Sequence, residues 1–231
     1  MVPLQVIWAK RSQHRATGTS LAAILPIAIV AAATYYFGRS SPQTDLTVAF
    51  FLAVGGVLGA FLGSLAARRI SDRELSMIFA VLLVAVGLKE VYDAFIGAAP
   101  HLAATTVRPL SAWSYAVITV SGLVVGIASG LTGVGGGTLI VPLLGLGFGI
   151  GQRVAQGTSL VAILPTSAIG ALTHQRNGDV NLRAAIWMGG AGVPAALAGS
   201  ALALWLPQRV LGGLFGVFLV LAAVRMWPRR T

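Results

Sequence analysis

The chain has 231 residues, of which 56% are hydrophobic and only 10% are charged. Soluble domains carry about 25% charged residues, so this composition excludes an ordinary soluble protein and indicates an integral membrane protein. The net charge is +10, but most basic residues lie in short loops between apolar segments, where they orient membrane spans, so nucleic acid is not an expected partner. The absence of Cys excludes disulfides and Cys-based metal sites.

Apolar segments long enough to cross a bilayer follow one another along the chain. Because a span needs about 20 residues, the sequence predicts an all-α, polytopic membrane protein with about seven transmembrane helices, at residues 19–37, 46–67, 74–96, 111–131, 158–174, 182–206 and 210–227. Residues 138–149 are apolar but too short to span as a helix. We expect these residues either to cross the membrane with the help of the unwound glycines that precede them or to turn back as a re-entrant hairpin.

A run of glycines, G-V-G-G-G, separates the fourth span from residues 138–149. Each Gly costs about 1 kcal/mol relative to Ala inside a helix, so the run predicts a broken helix at membrane depth. A break followed by a short helix with inward-pointing N–H groups is a way in which carriers bind anions. The alternative is that the glycines only allow close helix packing.

The two halves of the chain repeat one another. Residues 2–34 match residues 141–173 at 15 of 33 positions, and residues 56–84 match residues 192–220 at 12 of 29. The sequence therefore divides into a first repeat (1–97), a connector (98–110) and a second repeat (111–231). The first repeat lacks the initial helix and glycine run of the second, which indicates either a start at Met1 that is too late or a naturally truncated member.

Loop charges predict that the two repeats have opposite orientations. Loops at equivalent positions of the repeats change from strongly basic to weakly basic, and basic loops favour the cytoplasmic side. Inverted repeats of this kind are typical of carriers. The inversion requires residues 138–149 to cross the membrane.

The tripeptide Gly-Thr-Ser opens a predicted span in each repeat, at residues 18–20 and 157–159. It would supply two hydroxyls and free amides at a helix N-terminus, where anions are favoured. Ordinary N-capping is the alternative, but the recurrence of the tripeptide favours a ligand role. Pro26 and Pro165, further along the same helices, are candidate hinges, or else features of packing.

Ionisable residues are scarce in the predicted spans. His174 and Arg176 end one span and are candidates for the mouth of a pathway; a solvated, interfacial position is the alternative for His174. Glu90 and Asp93, beside Lys89, are expected to form a local salt bridge or to lie at the membrane interface rather than to form a coupling site. The sequence contains no paired aspartates and no zinc-protease motif, so we predict no enzyme, no metal site and no cofactor.

These motifs together resemble the sulfite exporter TauE/SafE family. The resemblance is carried by S-G-L-T-G-V-G-G-G-T-L-I-V-P-L-L, by the later G-T-S-L and by H-Q-R-N-G-D-V-N, and it covers residues 117–226 of the second half. It implies a multi-pass carrier of small sulfur-containing anions, such as sulfite, sulfoacetate or related organosulfonates, often moved out of the cell. It also implies an anion site lined by Thr132, Gly133, Gly135, Gly136, Gly137, Gly157, Thr158, Ser159, Gly18, Thr19 and Ser20.

The leading hypothesis is therefore a carrier in the cell membrane (inner or plasma) that exports its anion by alternating access of the two repeats. The alternative is a non-transporting, truncated paralogue that acts as a membrane partner or assembly subunit. The expected partners are the lipid bilayer and a small anionic substrate. Gly55, Gly59 and Gly63 form a small-residue face that would permit pairing with a second copy as a homodimer.

Overall fold

The computed structural model describes residues 13–66, 72–96, 111–132 and 136–226, and all regular structure in these ranges is helical. The fold is thus all-α, as predicted. The α-helices are α1 Gln13–Phe37, α2 Leu46–Ala66, α3 Asp72–Ile96, α4 Ala112–Thr132, α5 Gly137–Pro142, α6 Gln152–Arg176, α7 Leu182–Trp205 and α8 Gln208–Met226. A π-helix, Leu143–Gly147, directly continues α5.

Among the described residues, five helices are long and apolar enough to cross a membrane: α1 from Arg15, α2, α4 to Leu131, α6 and α7. Helix α8 contributes a shorter apolar stretch, Gln208–Val224. Large apolar side chains such as Phe50, Leu58 and Trp187 are exposed on the outer faces. These faces suit contact with lipid, and the prediction of a polytopic membrane protein is confirmed.

Helices α2 and α4 pack closely through glycines. A Cβ atom added to Gly59 would lie 2.1 Å from the carbonyl oxygen of Leu123 in α4. Gly55 and Gly63, one turn before and one turn after, face the α4 backbone in the same way. This small-residue face was expected to permit pairing with a second copy, but it is already covered within the chain, so it does not support a homodimer.

Helix α6 lies at the centre of the bundle and packs against α1, α2 and α5, while α1 also contacts α7 and α3 packs on α8. Helices α1 and α6 run antiparallel. Near the start of α1, a Cβ on Gly18 would lie 2.7 Å from the Cβ of His174, close to the end of α6. Near the end of α1, the Tyr35 hydroxyl donates a hydrogen bond of 2.5 Å to Gln156 Oε1, close to the start of α6.

Arginines lie at both ends of the bundle. Arg15, Arg176 and Arg183 lie where α1 begins, where α6 ends and where α7 begins, whereas Arg39, Arg153 and Arg209 lie where α1 finishes, where α6 starts and where α8 starts. In the sequence, Lys10 and Arg11 precede α1, and Arg68 and Arg69 follow α2, so we call the first of these ends the basic end and the other the opposite end. Arg68 and Arg69 fall outside the described residues.

Candidate functional site

The glycine run interrupts the helical path. Helix α4 ends at Thr132 and α5 begins at Gly137. Gly136, which precedes α5, has a φ of 74°, a left-handed conformation that glycine adopts readily. Gly133 and Gly135 lie outside the described residues. The predicted helix break at this motif is confirmed.

The short helix α5 begins halfway through the bundle. A Cβ added to Gly137 would lie 2.7 Å from Cδ1 of Ile163, near the middle of α6. A Cβ added to Gly136 would lie 3.0 Å from Cγ1 of Val125 in α4. From this depth, α5 and the π-helix lead towards the opposite end, where α6 starts.

The segment between α4 and α6 crosses the bundle. Near the end of α4, the carbonyl oxygen of Gly130 lies 3.1 Å from His174 Nε2, at the basic end, whereas Gln152 starts α6 at the opposite end. The helical residues 137–147 cover only about 16 Å of a hydrocarbon core that is about 30 Å thick. Because the chain leaves α4 at one end of the bundle and starts α6 at the other, the structure adopts the crossing of the two alternatives for residues 138–149.

A cavity of about 480 Å³ lies beside the start of α5 and extends towards the opposite end. Most of its lining is apolar, with side chains such as Ile24, Leu160 and Phe215, and none of the described lining residues is charged. Its polar lining comes from four helices and consists of Tyr35, Gly137, Thr138, Gln156, Ser159 and Ser200.

Several hydroxyl donors in the cavity are already engaged. Ser159 Oγ donates to the Gln156 carbonyl at 2.8 Å, Ser200 Oγ donates within α7, and the Tyr35 hydroxyl donates to Gln156 Oε1. The donors left for a solute are the side-chain NH₂ of Gln156, the Thr138 hydroxyl and the first-turn N–H groups of α5, at Gly137 and Thr138, which have no acceptor inside their own helix. All of these donors are neutral.

The two Gly-Thr-Ser tripeptides do not open helices, and this expectation is wrong. Helix α6 begins at Gln152, five residues before Gly157, and α1 begins at Gln13, five residues before Gly18. Gln152, Arg153 and Gln156 are polar, but Gln, Arg and Ala are good helix formers, so the helix starts after Gly151, earlier than hydropathy suggests. The N–H groups of both tripeptides consequently lie within helices, where backbone carbonyls accept from them.

The threonines of the tripeptides hold loops in place. The backbone N–H of Asp45, in the α1–α2 loop, donates to Thr158 Oγ1 at 2.9 Å. The backbone N–H of Asn181, in the α6–α7 loop, donates to Thr19 Oγ1 at 3.1 Å. Asp45 and Asn181 then cap the following helices, α2 and α7, with their side chains. Each repeat thus holds the loop of the other.

The tripeptides also lie far apart. Gly18 contacts His174, which is seventeen residues after Gly157 on the same helix and so about 25 Å away from it. A common anion site containing both tripeptides is therefore not formed. Of the predicted substrate-binding residues, the cavity brings together Gly137 and Ser159. It does not include Gly136, Gly157, Thr158, Gly18, Thr19 and Ser20.

His174 is buried rather than solvated. Its side chain is 1% exposed, and its Nδ1 lies 4.0 Å from Asp179 Oδ2, because the α6–α7 loop folds over it. Arg176, two residues later, is exposed at the basic end, and its role at the mouth of a pathway stays a prediction. Helices α1 and α6 continue through Pro26 and Pro165, whose role as hinges stays a prediction.

Sequence reasoning missed three polar residues at the opposite end, Tyr35, Gln156 and Arg153. Arg153 is only 8% exposed and donates hydrogen bonds to the carbonyl oxygens of Ala203, at 3.4 Å, and Leu206 at the end of α7. No motif surrounds it in the sequence. Gln156 directly precedes the Gly-Thr-Ser tripeptide at residues 157–159, and this adjacency is the signal that the sequence offers for it.

Comparison with known proteins places the chain in a family. The family described as sulfite exporter TauE/SafE matches residues 1–90 and 118–231. A probable membrane transporter protein of Xylella fastidiosa is 31% identical over 179 residues, which is 76% of this chain and 66% of that protein. Probable membrane transporter proteins of Methanocaldococcus jannaschii and Bacillus subtilis are each 33% identical, over 116 and 99 residues.

The match with the Methanocaldococcus jannaschii protein covers 48% of this chain and 43% of that protein. The match with the Bacillus subtilis protein covers 43% of this chain and 40% of that protein. The chain thus aligns with less than two thirds of the length of these relatives. No solved structure matches it. The relatives are named as transporters rather than enzymes, and the family covers most of the chain. The protein is therefore a multi-pass member of the sulfite exporter TauE/SafE family of membrane transporters.

Proposed function

We propose that the protein is a secondary carrier that exports small sulfur-containing anions, such as sulfite, sulfoacetate or related organosulfonates, across the cell membrane. The observation that carries the proposal is the half-helix α5, which begins halfway through the bundle beside a cavity of about 480 Å³. Interrupted helices next to a central cavity are the usual place for substrates in secondary transporters. The family description supports the sulfur-containing substrate.

The anion would bind at the start of α5. Gly137 and Thr138 would offer backbone N–H groups, and Gln156 would offer its side-chain amide from the facing turn of α6. Arg153, one turn before Gln156, adds positive charge near the outer part of the cavity without lining it. Neutral donors bind an anion less tightly than a buried cation would, and this favours rapid release.

Alternating access of two inverted repeats is supported by the packing. The equivalent helices α1 and α6 are antiparallel, and the loop after each one is held by the threonine of the other. An in-plane twofold axis would produce this reciprocity. The basic end would face the cytoplasm, since Lys and Arg favour that side. The cavity, which extends towards the opposite end, would then be the outward-facing half of the pathway.

Two glycines of α7 provide a matched test. A Cβ added to Gly199 or to Gly190 would meet nothing within 4 Å, so both positions accept a larger side chain. Gly199 lines the cavity, whereas Gly190 does not. In proteoliposomes we expect Gly199→Leu to abolish exchange of labelled sulfite and sulfoacetate, because it fills the cavity, and Gly190→Leu to exchange them like the wild type.

A second pair separates binding from folding. Thr138→Val removes a hydroxyl from the cavity lining, and Thr166→Val makes the same change in α6 away from the cavity, where the hydroxyl donates to the Ile163 carbonyl. We expect only Thr138→Val to raise the KM. Equal exchange in both leucine variants would show that the cavity is not the pathway. A wild type that exchanges none of these anions would refute the carrier proposal and favour the non-transporting alternative.

A further inference from the structure

Helix α3 carries a carboxyl group that the proposed pathway does not use. The Glu90 side chain is 0% exposed, and neither of its oxygens has a hydrogen-bond partner among the described residues. Asp93, one turn later, forms the expected salt bridge with Lys89, with Nζ 2.6 Å from Oδ2. Of the two alternatives, the local salt bridge is therefore confirmed for Asp93, whereas Glu90 is buried and forms no salt bridge among the described residues.

Glu90 lies between α8 and the π-helix. A Cβ added to Gly216 in α8 would lie 2.9 Å from the Cβ of Glu90, and a Cβ added to Gly145 in the π-helix would lie 4.0 Å from its Oε1. The two glycines thus leave room for the carboxyl group. Phe215, next to Gly216, lines the cavity, so α8 connects the carboxyl group to the proposed substrate site.

A second buried polar side chain, Gln152, follows the π-helix in the sequence. Gln152 starts α6 directly after the turn that follows the π-helix; it is 0% exposed, and neither polar atom of its side chain has a partner among the described residues. The carbonyl oxygen of Ile150, in that turn, lies 3.8 Å from the position of a Cβ on Gly145. π-Helical turns are frequent at functional sites, and transporters bind coupling ions where helices are interrupted.

The surroundings of Glu90 suit a neutral carboxyl group. Burying an unpaired carboxylate costs far more than burying the protonated form. The nearby charges, Asp93 and Lys89, lie on the same helix and are paired with each other. The contacts from α8 and from the π-helix, Gly216 and Gly145, carry no titratable group. A buried ionisable side chain in a transporter is commonly part of a proton relay.

We propose that Glu90 is a proton-binding site that couples anion transport to proton movement. The carboxyl group holds a proton while it is buried between α3, α8 and the π-helix. When rearrangement of the π-helix admits water, the O–H bond breaks, the proton passes to water and the carboxylate remains. This inference rests on the proposed carrier function and adds the identity of its coupling ion.

The test uses the full chain in proteoliposomes that contain a pH-sensitive dye, with the membrane potential clamped by potassium and valinomycin. Sulfoacetate is the substrate, because its sulfonate stays ionised whereas sulfite itself takes up a proton near neutral pH. We expect wild-type sulfoacetate flux to be accompanied by proton flux. Glu90→Gln should lose the proton flux while retaining sulfoacetate exchange, and the control Asp93→Asn should retain both.

The inference would be overturned if Glu90→Gln showed the same proton flux as the wild type. It would also be overturned if wild-type transport followed a sodium gradient rather than a proton gradient. Absence of sulfoacetate exchange in the wild type would instead refute the carrier proposal. Infrared difference spectra between acid and alkaline pH then test Glu90 separately. The carbonyl band of a protonated carboxyl group should be present in the wild type and missing in Glu90→Gln, and identical spectra would overturn the inference.

Discussion

Substitution of Gly157 by Ala tests how closely the α1–α2 loop lies against α6. The added Cβ would be 2.1 Å from the carbonyl oxygen of Gln43 and 2.6 Å from Thr44 Oγ1. Because a backbone oxygen cannot rotate away, the loop itself must move. That movement also lengthens the 2.9 Å hydrogen bond from the Asp45 N–H to Thr158 Oγ1. We therefore expect Gly157→Ala to destabilise the protein.

The change in the free energy of unfolding follows from three contributions. Overpacking costs about 1–3 kcal/mol, with a backbone clash near the upper end, and loss of one hydrogen bond costs about 1 kcal/mol. Replacing Gly by Ala inside a helix returns about 1 kcal/mol. The net destabilisation is about 2–3 kcal/mol, which corresponds to a fall of about 4–12 °C in Tm for a chain of this length.

Thermal unfolding of the purified protein in detergent, followed by tryptophan fluorescence, measures this effect. Gly190→Ala is the matched control, because it makes the same chemical change in a helix where a Cβ would meet nothing within 4 Å. Its Tm should stay the same or rise slightly. If Gly157→Ala lowered the Tm no more than Gly190→Ala does, the close approach of the loop to α6 would be refuted.

Two further substitutions test other helix contacts. Gly59→Val should separate α2 from α4, because a Cβ there would lie 2.1 Å from the carbonyl oxygen of Leu123. The Tm of this variant should fall by several degrees, whereas Leu58→Val on the exposed face of α2 should leave the Tm unchanged. Arg153→Met removes two hydrogen bonds to carbonyl oxygens at the end of α7, so it should lower the free energy of unfolding by about 1.5–3 kcal/mol. An unchanged unfolding midpoint in denaturant would show that Arg153 does not stabilise this end of α7.

The membrane fold and the helix break could be predicted because both depend on local properties of the chain. Long apolar segments must form helices to satisfy their backbone groups in lipid. Clustered glycines weaken a helix wherever it lies, and α4 does end at Thr132, with α5 starting at Gly137. These features need no knowledge of neighbouring helices.

The composition of the site could not be predicted, because it depends on which helices face one another. Residues 152–156 look like a polar loop by hydropathy, yet they form the first turns of α6 and bring Gln156 to the cavity. His174 and Glu90 both lie near the ends of predicted spans. Whether such a side chain is solvated or buried is decided by residues distant in sequence, here the α6–α7 loop and α8.

The paired contacts of Thr19 and Thr158 have a consequence for motion. They lie at opposite membrane surfaces, so a rocking of one half against the other that opens one surface would disturb the restraint there. A neutral hydrogen bond contributes about 1 kcal/mol net, so the contact at that surface would favour its fastened arrangement by about fivefold. Roughly one molecule in six would then be unfastened at that surface at any instant, so the restraint is weak enough for both arrangements to be populated.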